Sequence, residues 1–266
     1  MDVRYDFAEI GEVIMKPKLV ERYSKHLLLK EIGGTGQKKL LESRILVVGL
    51  GGLGCPLVTY LVAAGVGSLG IIDHDVVSLS NLQRQPLYSH HSVGRLKVDV
   101  AKAELTKLNP SIEISIFPVP LTHENSVEII KTYDFVIEGT DSHEVRYIVN
   151  TACLSLKKPF VSGAISRWEG QIGFYNLSNN SPCYKCIFPN EKDRDSHGNC
   201  QQEGVVGPLP GIIGTMMAGE VIKFLIGAEN SLDNQLLCFD LMSSELRKFK
   251  MSRRSGCETC SQKPLH

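Results

Sequence analysis

From Arg44 the chain runs RILVVG, an apolar stretch of strand length, then the turn GLGGLG, then CPLVTYLVAAG, which is apolar over the length of a helix. This is a β-turn-α unit. A second apolar run, SLGIID, closes at Asp73. VGRLKVDVAKAELTKLN has helical spacing, IEISIF alternates as a strand, and YDFVIEGTD repeats the strand-then-loop pattern. Strand and helix alternate, which predicts an α/β chain with a Rossmann-like, doubly wound and mainly parallel sheet. In such sheets ligands sit outside the carboxyl ends of the strands, and Gly51, Asp73 and Asp141 all fall there.

After Pro159 the texture changes. GQIGFYNL and LLCFDLMSSELRKFKM read as antiparallel strands, and the apolar helix IIGTMMAGEVIKFLI lies between them. These are expected to continue the same sheet. The segment 189–210 is polar and rich in Gly and Pro, so it reads as a long loop, and loops of that length are often functional. No internal repeat or low-complexity tract is present.

Charge removes some function classes. The 29 basic side chains balance the 29 acidic ones, so no summed field draws the chain to nucleic acid or to an anionic membrane. The N-terminal residues interleave charge with apolar groups and lack the apolar core of a signal peptide, and no later stretch reads as a membrane span. A cytoplasmic protein is expected. Its eight cysteines then point to metal binding or thiol chemistry and away from a disulfide framework.

Gly49, Gly51 and Gly54 form G-x-G-x-x-G between a strand and a helix, the context in which backbone N–H groups approach phosphates. Asp73 ends the next strand, where a carboxylate can bond ribose hydroxyls. This pattern alone does not separate NAD from ATP. Asn81, Arg84 and Lys97 follow, and two cations suit a triphosphate, although either also reads as an ordinary surface cation. Asp141, in EGTDS, suits Mg²⁺ near phosphates and equally suits a helix N-cap.

Cys183-x-x-Cys186 and Cys257-x-x-Cys260 supply four thiolates for tetrahedral zinc, against the rival readings of redox dithiols or buried thiols. A full shell of four leaves no open position, so such a metal would staple the chain. Cys55, Cys153 and Cys238 lie in apolar helix or strand stretches and read as buried thiols. Cys200 lies in the polar stretch DSHGNCQQEGVVGP, where it reads equally as a nucleophile toward an activated carbonyl and as an incidental loop cysteine.

Taken in order, RYSKH, RILVVGLGGLGCP, AGVGSLGIIDHDVVSLSNLQRQ, VGRLK, GTDS, KPFVSGA, EGQI, CYKC, NCQQEGVVGP and GCETC resemble the MoeB/ThiF/HesA branch of the ubiquitin-activating superfamily, from about Arg22 onward. The resemblance implies an adenylyltransferase that activates the C-terminal glycine of a ubiquitin-like sulfur-carrier protein ending in Gly-Gly. It implies that Gly49, Gly51, Gly52 and Gly54 hold ATP and that Asp73 takes the ribose. Ser80, Asn81, Leu82, Gln83, Arg84 and Lys97 would line the phosphates, with Asp141 and Ser142 at Mg²⁺ and the α-phosphate. Cys183, Cys186, Cys257 and Cys260 become Zn²⁺ ligands, and Cys200 takes the place of the family's loop cysteine.

The resemblance also implies a homodimer in which an N-terminal basic residue reaches the partner's ATP. Here that residue is Lys25, where the family carries arginine, so charge is kept and bidentate contact is lost. Ser142 likewise replaces the usual asparagine. The expected organisation is an N-terminal segment, 1–21, and one adenylating domain, 22–266. Within the domain, 22–158 would bind nucleotide and 159–266 would bind the carrier and zinc. No rhodanese-like extension follows Cys260, so the sulfur donor is expected to be a separate protein. Within the superfamily, the runner-up is a tRNA-modifying adenylating dehydratase, which the paired CxxC motifs and balanced charge disfavour. An NAD-dependent oxidoreductase would leave Arg84, Lys97 and the cysteine pairs unexplained. A noncatalytic partner subunit is disfavoured by Arg84, Lys97 and Asp141 all being present.

Overall fold

Burial on both faces dictates the centre of the molecule. The structure, a computed structural model, describes residues 15–178, 180–189, 204–229 and 232–261. Strand β1 (Arg44–Val48) is buried at four of its five positions, because β2 (Ser68–Ile72) and β4 (Phe135–Glu138) flank it and helices cover both sides. A strand enclosed in this way reads as a continuous apolar run. The sheet has eight strands in the order β3-β2-β1-β4-β5-β6-β7-β8. Parallel pairing joins β3 (Glu113–Phe117), β2, β1, β4 and β5 (Phe160–Ser166). Antiparallel pairing then adds β6 (Glu169–Tyr175), β7 (Gln235–Asp240) and β8 (Glu245–Lys250), so the second half does continue the same sheet.

Three helices that the apolar pattern does not announce precede β1: α1 (Pro17–Arg22), α2 (Ser24–Leu27) and α3 (Gly33–Glu42). Helix α4 (Gly54–Ala64) follows the glycine turn and stops at Gly65, whose φ of 92° is the left-handed cap that glycine adopts without strain. Helix α5 (Lys97–Leu108) starts later than the spacing predicts. Gly94 has φ 85° and bonds back to Val77, so residues 93–96 form a turn that delivers Lys97 to the first helical position. Helices α6 (His123–Ile130) and α7 (His143–Ser155) cover the opposite face, and the short α8 (Tyr184–Ile187) follows β6.

The last helix, α9 (Pro208–Ile226), begins inside the segment expected to be loop. Pro208 and Pro210 occupy its first turn, where a missing N–H costs nothing. The intervening residues 190–203 lie outside the described structure. Among the described residues α9 is the one helix long and apolar enough by composition to cross a membrane, with a mean hydropathy of 1.5. Its Leu209, Ile213, Met217 and Val221 are buried in the main core with Leu53 and Leu57 of the glycine-turn region and Ile172 and Phe174 of β6. That packing is what an apolar core helix makes.

Candidate active site

The carboxyl ends of β1, β2 and β4 open onto a cleft of about 750 Å³. Its wall includes Gly49, Gly51 and Gly52 from the turn after β1, Asp73 after β2, Ser80, Asn81, Gln83 and Arg84, then Lys97, and Asp141 and Ser142 after β4. Residues scattered over nearly a hundred positions thus face one space, where the switch in strand order between β2 and β4 around β1 leaves a crevice.

The glycines divide the work. A Cβ on Gly54 would lie 2.2 Å from the carbonyl oxygen of Gly49, so Gly54 allows the turn to close and does not line the cleft. A Cβ on Gly51 would meet only the Gln85 amide, at 3.9 Å, so this backbone is open for a ligand to approach closely. Gly52 is pressed from the far side by Pro210, whose Cβ would be 2.9 Å from an added methyl.

Asp73 ties the turn to β2: one carboxylate oxygen accepts the Leu50 N–H at 2.7 Å and the other accepts the Asp75 N–H at 2.8 Å. Burial raises its pKa, with the Lys97 charge opposing that rise. Lys97 is no ordinary surface cation. It is 5% exposed and its Nζ donates to Asp75 Oδ2 at 2.8 Å. Arg84 is half-buried, with Nη1 donating to the Ser80 carbonyl at 2.9 Å. Asn81 Oδ1 accepts the Ser78 N–H, which fixes the short turn carrying Ser80. Leu82 differs from the others: its side chain packs with Cys55, Val77, Tyr88 and Val100 and stays out of the cleft wall.

Asp141 lines the cleft, while the cap of α7 belongs to its neighbour. Ser142 Oγ accepts the Val145 N–H at 3.3 Å, so the N-cap reading of Asp141 does not hold. Beneath this loop lies a network that the sequence pattern does not reveal. Glu138 is wholly buried; its Oε1 accepts the N–H of Thr140 at 2.8 Å and the Thr140 hydroxyl at 2.6 Å. Its Oε2 accepts Arg146 Nε at 3.2 Å and the Ser162 hydroxyl at 2.6 Å. Arg146 Nη2 also donates to the Thr140 carbonyl at 2.8 Å. Two of these bonds hold the Thr140 backbone just before Asp141, through its N–H and its carbonyl, and the others hold Glu138 and Arg146 in place to make them. A carboxylate on an otherwise apolar strand, followed eight residues later by arginine, is the only signal the sequence carries.

The four cysteines of the two CxxC pairs meet, with all four sulfurs within 4.8 Å of one another. Cys183 Sγ lies 3.8 Å from Cys186 Sγ and 3.7 Å from Cys257 Sγ, and Cys186 Sγ lies 3.4 Å from Cys260 Sγ. Tetrahedral zinc with Zn–S bonds of about 2.3 Å needs sulfurs roughly 3.8 Å apart, so the donor set fits. Burial and the neighbouring sulfurs raise the Cys183 pKa, a penalty that a divalent cation would offset. An ion pair of 3.2 Å between Lys185 and Glu258 joins the two segments beside the cluster. Cys55 and Cys153 are buried on α4 and α7, and Cys238 is half-buried on β7. Cys200 lies outside the described residues. Lys25 is exposed on α2 and does not line the cleft of its own chain.

Residues 23–259 match the ThiF family. The chain is 44% identical over 246 residues to the adenylyltransferase and sulfurtransferase MOCS3 of Aedes aegypti, an alignment covering 92% of this chain and 56% of that protein. It is 39% identical over 249 residues to the sulfur carrier protein adenylyltransferase of Thermus thermophilus, covering 92% of each. The chain thus spans little more than half the length of the MOCS3 relatives and nearly all of the shorter bacterial one. Among solved structures, E. coli MccB with MccA-N7isoASN superposes with a TM-score of 0.81 at 23% identity, covering 95% of this chain and 77% of that one. E. coli MccB with ATP gives 0.78 at 23% identity, covering 91% and 75%. Both share the fold.

Proposed function

Because the chain belongs to the ThiF family, we propose that it uses ATP to adenylate the C-terminal glycine carboxylate of a ubiquitin-like sulfur-carrier protein. The observation that carries this reading is the convergence of Gly51, Asp73, Arg84, Lys97 and Asp141 on one cleft. The name of the Thermus thermophilus relative supports the substrate class. A carrier oxygen attacks the α-phosphorus of ATP, the bond from that phosphorus to the bridging β-phosphate oxygen breaks, and pyrophosphate leaves with its electron pair. The product is a carrier acyl-adenylate.

No general base is required, since a carboxylate is ionised at neutral pH. The protein's contribution is alignment and neutralisation. Gly51 lets backbone approach the phosphates and Asp73 takes ribose hydroxyls. Arg84 and Lys97 balance charge on the departing pyrophosphate, and Asp141 would hold Mg²⁺, which would supply further neutralisation of phosphate charge. Zinc in the four-cysteine cluster would tie the C-terminal segment to the stretch after β6.

Residues 22–266 are read as one domain, with nucleotide bound by 22–158 and the carrier and zinc by 159–266. The single continuous sheet supports that division of one unit. We also read the enzyme as a cytoplasmic homodimer in which Lys25 acts on the partner's nucleotide, a role supported by its exposure away from its own cleft. The sulfur donor we read as a separate protein, in a pathway toward molybdopterin or thiamin. ATP–pyrophosphate exchange dependent on a carrier with an intact Gly-Gly end tests the reading. Equal exchange with a tail-truncated carrier, or none with any carrier, overturns it.

A further inference from the structure

Lys25 sits on a helix of only four residues, too short to hold its own direction. Two neighbours on that segment reach inward. Tyr23 is buried; its hydroxyl accepts from Asn109 Nδ2 at 3.0 Å, and its ring lies against Gly65, where an added Cβ would be 2.6 Å away. His26, half-buried, places Nδ1 2.9 Å from Oε1 of Gln37. Gln37 is fully buried, and its Nε2 donates to the Ala64 carbonyl at 2.9 Å, at the end of α4.

That second bond settles the first. Reversing the Gln37 amide would set its oxygen against the Ala64 carbonyl oxygen, so Oε1 faces His26 and Nδ1 must carry the hydrogen. The chain His26, Gln37, Ala64 therefore anchors the turn that carries Lys25 to the far end of α4, the helix that starts at the glycine turn.

We propose that His26 is the positioning residue of Lys25, aiming its ammonium out from the α2 turn toward the nucleotide of a second copy of the chain. The proposal rests on the reading of Lys25 given above. His26 touches no substrate and acts through the direction of its neighbour.

The test measures ATP–pyrophosphate exchange in the full-length protein with its carrier, on four variants. His26→Ala is expected to slow the maximal exchange rate about ten- to a hundredfold, as misplacement of a reacting group does, with the KM for ATP little changed. In His26→Asn the side-chain amide replaces the Nδ1 donor, so most of the rate should return. Lys25→Ala should be slow, and Lys25→Ala/His26→Ala no slower than Lys25→Ala alone, since His26 has nothing left to position. If Lys25→Ala exchanges normally, both the role of Lys25 and the proposal fall. If Lys25→Ala is slow but the double variant loses a further full His26 effect, or if His26→Asn is as slow as His26→Ala, only the positioning role falls.

Discussion

Lys97 and Asp75 form an ion pair of 2.8 Å in which the lysine is almost wholly buried and the aspartate is half open to the cleft. The cation is thus held in place before nucleotide arrives, and its partner can yield to a phosphate oxygen. Lys97→Met should cut exchange by about 10²-fold or more, the usual cost of removing one preorganised electrostatic group. Asp75→Asn keeps an acceptor for Nζ while removing the competing charge, so it should retain exchange and bind ATP at least as tightly. Exchange assays and ATP titration calorimetry check both; a normal rate in Lys97→Met would refute the assignment.

Glu138 and Arg146 pair beneath the cleft, the carboxylate wholly buried and the guanidinium nearly so. Glu138→Ala leaves a guanidinium buried beside three vacated donors and should destabilise the fold by about 3–5 kcal/mol in urea titration. Arg146→Met should also free the Thr140 carbonyl and loosen the loop, so exchange should fall more than the loss of folded protein explains.

Removing metal should act on stability before chemistry. Metal analysis should find about one zinc per chain, and chelation or Cys257→Ser should lower the Tm and expose the last described residues to protease. Full thermal stability in metal-free protein would remove zinc from the structure.

Cys55 makes a pH prediction. Burial pushes its thiol from 9.0 up to about 12, with a hydrogen bond to Tyr88 opposing. The unfolded thiol loses its proton near pH 9 while the folded one keeps it, so the unfolded chain binds fewer protons there and stability falls as pH rises from about 9 to 12. Denaturant midpoints at pH 7 and pH 10 should show the loss, and Cys55→Ala should flatten it. Native Cys55 should also resist alkylation at pH 8.

Cys200 should matter after adenylation or not at all, because attack on the α-phosphorus uses no thiol. Cys200→Ala should keep exchange near the parent rate; a large loss in folded protein would bring its loop into the ATP site.

The parallel half of the fold was legible because its strands are continuous apolar runs and its turn is built of glycines that only a close approach requires. Asp141 stood out by its place after a strand and Arg84 as a cation beyond Asp73, though the sequence left each with a second reading, and both line the cleft. Lys97 was visible as a cation, but its burial was not, since that depends on Gly94 delaying the helix until residue 97. Glu138 and Arg146 were hidden for a related reason. A carboxylate on a strand is identified as structural only when its arginine, threonine and serine partners are known, and these come from three different elements. β5 was not read as a strand of its own; only Arg167 and Trp168 separate it from β6, with Arg167 turning the chain at φ 52°. Among the early helices, α1 and α2 are six and four residues long, too short for a helical period to register, and α3 opens on GGTG, which reads as a turn.

Pro210 presses against Gly52, and Gly214 abuts the carbonyl of Leu53, so one wall of the glycine turn is made by residues about 160 positions downstream. During synthesis residues 49–142 emerge first, with the groups read above as nucleotide contacts, yet their turn has nothing behind it until α9 is made. The apolar surface that awaits α9 is meanwhile open to wrong partners. Nucleotide affinity should therefore appear late and abruptly in a nascent chain, as a property of the nearly finished polypeptide.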